Sequence, residues 1–248
     1  NLDEVKVIAI QDRMRYLRML EERKLTVLKS IEEQGKLTAE LRAKILAAPK
    51  LQEVEDLYLP YKPKKRTRAT IAKEKGLEPL AQRMWSQQDV EGNVEAIAAE
   101  FINAEKGVAN AVEALAGAND IIAEWVSDEA ETRKLVRELT WEHSSLRAEA
   151  KDEKNVDVYE IYKDYRDLLK KVVPHRTLAI NRGEREGFLK VGIEAPAEEL
   201  VMSVQKKFIT NAKCIFTEHN KAAVKDAYER LIAPAIEREL RNQLTEHA

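Results

Sequence analysis

The sequence predicts a mainly α fold, a multi-helix scaffold carrying one small two-stranded β element. Three observations lead there. Glycine numbers 8 and proline 7 in 248 residues, about half the usual combined share of roughly 12%, so residues that break helices or build tight hairpins are scarce. Apolar positions return at helical spacing along most of the chain. Strict alternation of apolar and polar residues appears in only two short stretches, "SSLRAEA" and "GFLKVGIEA".

Taken in order, Ile10, Met14, Leu17, Leu20, Leu28 and Ile31 form a stripe on a long amphipathic helix that Gly35 is placed to end. Thr38 offers an N-cap oxygen for a short helix through Ala47, Pro49 breaks it, and another short helix reaches Leu57. These residues, 1–57, make an N-terminal helical segment. A basic loop and a short helix fill 58–76, with Thr70 as the cap and Gly76 as the stop, and Pro79 then starts the next helix. Alanine-rich helical segments occupy 77–145, and Trp125 and Trp141 are expected to pack between them. Segment 146–195 holds the expected strand pair, Leu146–Ala150 with Leu189–Ile193. Between the strands a tyrosine-rich helix is expected from Val158 to Val173, followed by a helix opened by Pro174 and closed by Gly183. Helices return over 196–248, kinked or split at Pro234. The chain starts at Asn1 and stops inside a helical pattern, which reads as a piece of a longer protein.

Charged residues make up 35% of the chain, yet Lys+Arg 42 against Asp+Glu 44 leaves a net charge of −2. Bulk charge therefore selects no anionic partner, and only local clustering can argue for one. The lone cysteine, Cys214, can close no internal disulfide, which fits a reducing cytoplasm, and its apolar neighbours mark it as a buried, inert thiol. No apolar run is long enough for a membrane span.

The residues offer no catalytic or metal constellation. Asp157, Glu160, Asp164 and Asp167 would share one side of the expected tyrosine-rich helix, an arrangement hard cations favour. Val158, Tyr162, Tyr165 and Leu169 would face the other way, so the acids read as a solvated face above a buried one. The four histidines stand in no metal-ligand spacing, and "RGEREG" lacks the spacing and the Lys-Ser/Thr of a phosphate loop. The chain is read as a non-enzyme without catalytic residues, metal or cofactor.

The one concentrated feature is "YKPKKRTRATIAKEK", where Lys62, Lys64, Lys65, Arg66, Arg68, Lys73 and Lys75 stand against the single acid Glu74. Cations beside proline-stiffened backbone suit the tracking of nucleic-acid phosphates, through Lys62, Lys64, Lys65, Arg66 and Arg68. The competing reading is an internal clamp. Glu53, Glu55 and Asp56 lie just upstream, within reach of paired, forked contacts from Arg66 and Arg68. Sequence physics leaves these two readings about even, with the lysines better suited to phosphate and the arginines to pairing.

Two long stretches, "EDLYLPYKPKKRTRATIAKEKGLEPLA" and "PHRTLAINRGEREGFLKV", resemble the Tex family of bacterial transcription accessory proteins. The flanking "LEERKLTVLKSIEEQGKLTAELRAKI" and "YERLIAPAIERELRNQL" are similar to it as well. The resemblance implies a cytoplasmic, nucleic-acid-binding factor whose other modules are an RNase H-like domain, a helix-hairpin-helix part and an OB-type RNA-binding domain. Only the helical region preceding the RNase H-like domain is matched here. The resemblance thus implies a helical scaffold that positions RNA- or DNA-binding modules, with phosphate contacts of its own at the basic run. The alternative is a protein-interaction scaffold that contacts RNA polymerase or another transcription partner without touching nucleic acid.

Overall fold

The computed structural model describes residues 4–152 and 157–248, with the side chain of Asp157 left outside that description. The chain divides into two compact units. The first takes the described residues up to Lys65 together with Asp128–Lys134, and the second takes Arg66–Ser127 and Leu135–Ala248. The division falls inside the basic segment, between Lys65 and Arg66.

The first unit is built on α1 (Glu4–Glu33), α2 (Ala39–Ala47) and α3 (Leu51–Tyr58). Gly35, at φ +67°, supplies the left-handed turn that ends α1, a conformation that costs other residues about 1 kcal/mol or more. Thr38 accepts from the Leu41 amide at 3.1 Å, as its position suggested. Lys50 provides no side-chain cap for α3. The open donor at Leu51 is met from α1 instead, where the Tyr16 hydroxyl accepts it at 3.0 Å. Leu20, Val27, Leu28 and Ile31 of α1 pack with Ile45, Ala48, Val54 and Tyr58 into one core.

The stripe on α1 is only half used. Leu20, Leu28 and Ile31 are buried as expected, but Ile10, Met14 and Leu17 are exposed. Amphipathic spacing reports that a helix has an apolar face, and α2 and α3 cover only its C-terminal half.

The second unit is larger. Its helices are α4 (Arg68–Glu74), α5 (Glu78–Ser86), α6 (Val94–Ala99), α7 (Ala111–Asp128), α8 (Ala130–His143), α9 (Pro174–Arg185), α10 (Ala197–Phe208), α11 (Thr217–Asp226) and α12 (Ala233–Glu246), with the ends of α7 and α8 nearest Glu129 assigned to the first unit. A π-helical turn over Ala227–Ile232 joins α11 to α12, and Pro234 stands at the first turn of α12. Ala118, Ile121, Ile122 and Val126 of α7 pack with Phe216, Val224, Ile232 and Leu240, and Trp125 and Trp141 lie partly buried against this core. Cys214 is buried.

Among the described residues the β element has three strands, not two. β1 (Ser145–Ala150) is flanked antiparallel by β2 (Asp164–Leu168) and β3 (Leu189–Glu194), in the order β2-β1-β3. The expected pair, β1 with β3, is in register with Leu146 opposite Ile193 and Ala148 opposite Val191. The expected helix over Val158–Val173 is replaced by a 3₁₀ turn (Asp157–Tyr162), β2 and a second 3₁₀ turn (Leu169–Lys171). Tyr162, Tyr165 and Leu169 have helical spacing, but Tyr165 pairs across the ladder with Ala148, and the free edge of β1 outweighs local preference.

Two further expectations are corrected. Gly183 does not stop α9; it is buried within it, and a Cβ there would lie 2.7 Å from Leu189 and 2.9 Å from Tyr159. The reversal comes at Gly187, φ +87°. The cap of α4 is Thr67, and Thr70 is its reciprocal partner in a capping box.

Candidate nucleic-acid interface

The basic segment leaves α3 through backbone bonds that repeat the helical pattern, with Tyr61 and Lys62 amides both donating to the Tyr58 carbonyl at 2.8 and 2.9 Å. The Gln34 side-chain amide donates to the Tyr61 carbonyl at 2.9 Å, and Tyr58 bonds Ser30 at 2.9 Å, so the loop starts from a fixed point on α1. Pro60 and Pro63 then limit the backbone on either side of Lys62.

Within the first unit, Lys62, Lys64 and Lys65 are exposed but not equivalent. Lys64 is ion-paired with Asp128. Lys62 and Lys65 have no carboxylate within ion-pair distance among the described residues. Two of the three acids proposed as an internal clamp, Glu55 and Asp56, have other partners. Glu55 takes Arg23 through two bonds at 2.5 and 3.1 Å, and the buried Asp56 accepts from Gln52 and Arg133, each at 3.2 Å. The hydrogen bond to Glu55 is the main reason the Arg23 guanidinium is held above its usual pKa. A cleft of about 260 Å³ is lined by Lys44 and Lys134 against Glu53, Asp56 and Glu131, a set of charges that favours no anion.

Within the second unit, Arg66 pairs with Glu74 at 2.9 Å, with both side chains largely exposed. Such pairs contribute about 1 kcal/mol at most and exchange readily for other anions. Thr67 caps α4, its hydroxyl accepting from the Thr70 amide at 3.1 Å and donating to Glu124 at 2.9 Å. Arg68 follows at the first helical position, exposed and with no ion pair among the described residues. Its charge still reaches Asp120, whose carboxyl is pushed above the ordinary value chiefly by burial, against the opposing pull of Arg230 and Arg68.

The structure therefore separates the five candidate cations. Lys62 and Lys65, and apart from them Arg68, present charge to solvent; Lys64 and Arg66 have carboxylate partners. Those partners, Asp128 and Glu74, were not foreseen. Glu74 was legible as the acid inside the run, whereas Asp128 lies 64 residues away and leaves no local signal.

The acidic residues around the tyrosines do not gather. Glu160 pairs with Lys163 at 2.9 Å, and Asp167 faces Arg176 at 3.7 Å. Asp157 lies outside the described side chains. Among the described residues no three His, Cys, Asp or Glu side chains are grouped to hold a metal ion. No described helix is long and apolar enough to cross a membrane.

Comparison with known proteins gives the family. A family profile described as Tex central region-like matches residues 89–248. The uncharacterized protein YdcI of Bacillus subtilis is 45% identical over 253 residues, covering 100% of this chain and 35% of its own length. The transcriptional accessory protein Tex of Neisseria gonorrhoeae is 38% identical over 209 residues, 84% of this chain and 27% of that protein. The protein tex of Bordetella pertussis is 41% identical over 201 residues, 79% of this chain and 25% of its own length. The chain thus spans between a quarter and about a third of the length of these relatives. With a profile match over most of its length and relatives well above 30% identity, the chain belongs to the Tex family.

Proposed function

We propose that the chain is the helical scaffold of a Tex-type transcription accessory factor, acting in the cytoplasm, and that it adds sequence-independent phosphate contacts through Lys62 and Lys65. The observation that carries this reading is the contrast within one short loop. Lys64 is paired with Asp128, while Lys62 and Lys65 on either side of it have no carboxylate partner among the described residues and start from an anchored backbone. A fold that needed these cations for itself would pair them. Arg68, in the other unit, is a separate candidate on the same grounds. Names of relatives support the setting: one is a transcriptional accessory protein, and a human protein 24% identical to this chain is named as containing an S1 RNA-binding domain. No reaction is assigned to the chain.

The test is the salt dependence of binding to a duplex oligonucleotide. Replacing Lys62 and Lys65 together with serine should flatten the plot of log affinity against log salt by about 0.9 for each phosphate that is no longer neutralised. Lys64→Ser should change the slope less, because its charge is already matched. Equal slopes for the wild type and the Lys62/Lys65 variant would reject phosphate binding at this loop.

A further inference from the structure

α1 carries two different apolar faces, and the difference identifies what the exposed one is built to meet. Val7, Ile10, Met14 and Leu17, and beyond the charged Glu21 and Lys24 also Leu28 and Ile31, follow the alternating three- and four-residue spacing of a heptad seam. In the C-terminal half the column beside the seam is also apolar, at Leu20 and Val27. That wider face is what packs into the core of the first unit. A seam plus one flanking column is the pattern of a helix on a globular core.

In the N-terminal half the flanking columns change character. Lys6 and Arg13 stand on one side of the seam, Gln11 and Arg18 on the other. What remains on this face is a two-column stripe, the narrow pattern with which one helix meets another; the other exposed apolar residues of this half, Val5, Ile8 and Met19, lie on the opposite side of the helix. Val7, Ile10, Met14 and Leu17 are 40%, 48%, 48% and 42% exposed, so nothing among the described residues covers this stripe. It runs about 15 Å along the helix, about one and a half heptads.

We propose that this half of α1 is a docking seam for an amphipathic helix of a partner protein, one with apolar seam residues flanked by aspartate or glutamate. Charge selects the occupant. In a pairing of two copies, Arg13 would meet Arg18 in the parallel arrangement and its own counterpart in the antiparallel one, and like charges at those positions oppose association. Among the described residues neither arginine has a carboxylate partner: Arg13 lies over the Tyr16 ring, 5.3 Å from its centre, and Arg18 is exposed. Asp12 is turned to Arg15 at 3.4 Å. A membrane surface would also draw cations, but helices that lie in a bilayer interface present a broad apolar face, and this one is two columns wide. The proposal is independent of phosphate binding at Lys62 and Lys65.

The probe is a pair of labelled synthetic helices with leucine and isoleucine in the seam, one flanked by glutamate and one by lysine, titrated against the 248-residue chain by fluorescence anisotropy. The acidic helix should bind at least tenfold more tightly than the basic one. Ile10→Ser with Met14→Ser should weaken it at least tenfold, whereas Val5→Ser, an exposed apolar residue off the seam, should leave it unchanged. Arg13→Glu with Arg18→Glu should reverse the preference between the two helices. These positions lie outside the buried core, and circular dichroism of each variant should match the wild type. Four results would overturn the proposal: no discrimination between the helices, equal loss from Val5→Ser, a dimer in sedimentation that the seam variants abolish, or capture by phosphatidylglycerol vesicles in place of the acidic helix.

Discussion

The two units of this chain are held together by different means. In the first, the core among the described residues comprises eight buried apolar residues, and with it are buried three charged side chains, Lys24, Asp56 and Arg133. In the second, the core is several times larger, and every buried polar side chain among the described residues is uncharged: Gln87, Ser127, Thr140, Ser144, Ser145, Thr177, Thr217 and Asn220. A small core cannot exclude all the charge that its helices carry, so each ion must be met. Lys24 reaches the Leu46 carbonyl at 2.8 Å and Glu21 at 2.9 Å, and Asp56 meets Arg133. The lesson is that stability in the first unit hangs on a few polar partners, while in the second it is spread over packing.

The largest effect should come from breaking the buried pair. Arg133→Ala removes the guanidinium that meets the buried Asp56 carboxylate, and should cost about 3–5 kcal/mol in chemical denaturation. Replacing both ions, Asp56→Leu with Arg133→Met, should recover most of that loss, since apolar side chains of similar volume often match a buried pair. If the double variant were as unstable as Arg133→Ala, the loss would lie in packing rather than in an unmet charge, and the contrast between the units would fail.

The second unit should respond to volume. Gly183 lets α9 close on Leu189 and Tyr159, both buried, and a methyl at that point would lie under 3.0 Å from each. Gly183→Ala should therefore destabilise by about 1–3 kcal/mol, although alanine is the better helix former by nearly 1 kcal/mol. A stabilised variant would mean that the contact yields easily, and that packing in this unit is looser than its burial implies.

These same residues show how far the sequence could be read. Signals that act within a turn or two were legible: Thr38 as a cap, Pro49 and Gly35 as stops, Pro79 and Pro174 as starts, and the alternation of β1 and β3. Gly183 was misjudged because a glycine that ends a helix and one that admits a neighbour look alike until the neighbour is known. β2 was missed because Tyr162, Tyr165 and Leu169 have helical spacing, and only pairing with the edge of β1 overrides it. The basic run was visible from composition alone. The division of its members into paired and unpaired cations was not, because Lys64 finds Asp128 through the fold. For the same reason the exposure of Ile10, Met14 and Leu17 could not be read from a stripe that continues through Leu20 into the core.

The smallest effect sharpens the comparison from the side of the second unit, whose ion pairs are near the surface. Arg83 grips Asp89 through two bonds of 3.0 Å, and that hydrogen bonding holds the Asp89 carboxyl below its usual value. A carboxyl with a lowered folded pKa stabilises the fold above the unfolded carboxylate value, near 4, and that contribution disappears as pH falls through the lowered folded value. Asp89→Asn keeps the backbone bond in which the residue 89 carbonyl accepts from the Ile215 amide, so the variant isolates the charge. Its urea midpoint should be slightly below that of the wild type at pH 7, and the gap should narrow as the pH is lowered from about 4 toward about 2. Exposure of Arg83 keeps the whole effect small, well below the loss expected from Arg133→Ala. A gap that stayed constant over this range would show that Asp89 acts through its shape and not its charge. In that case, polar contacts near the surface of this unit would be part of its packing.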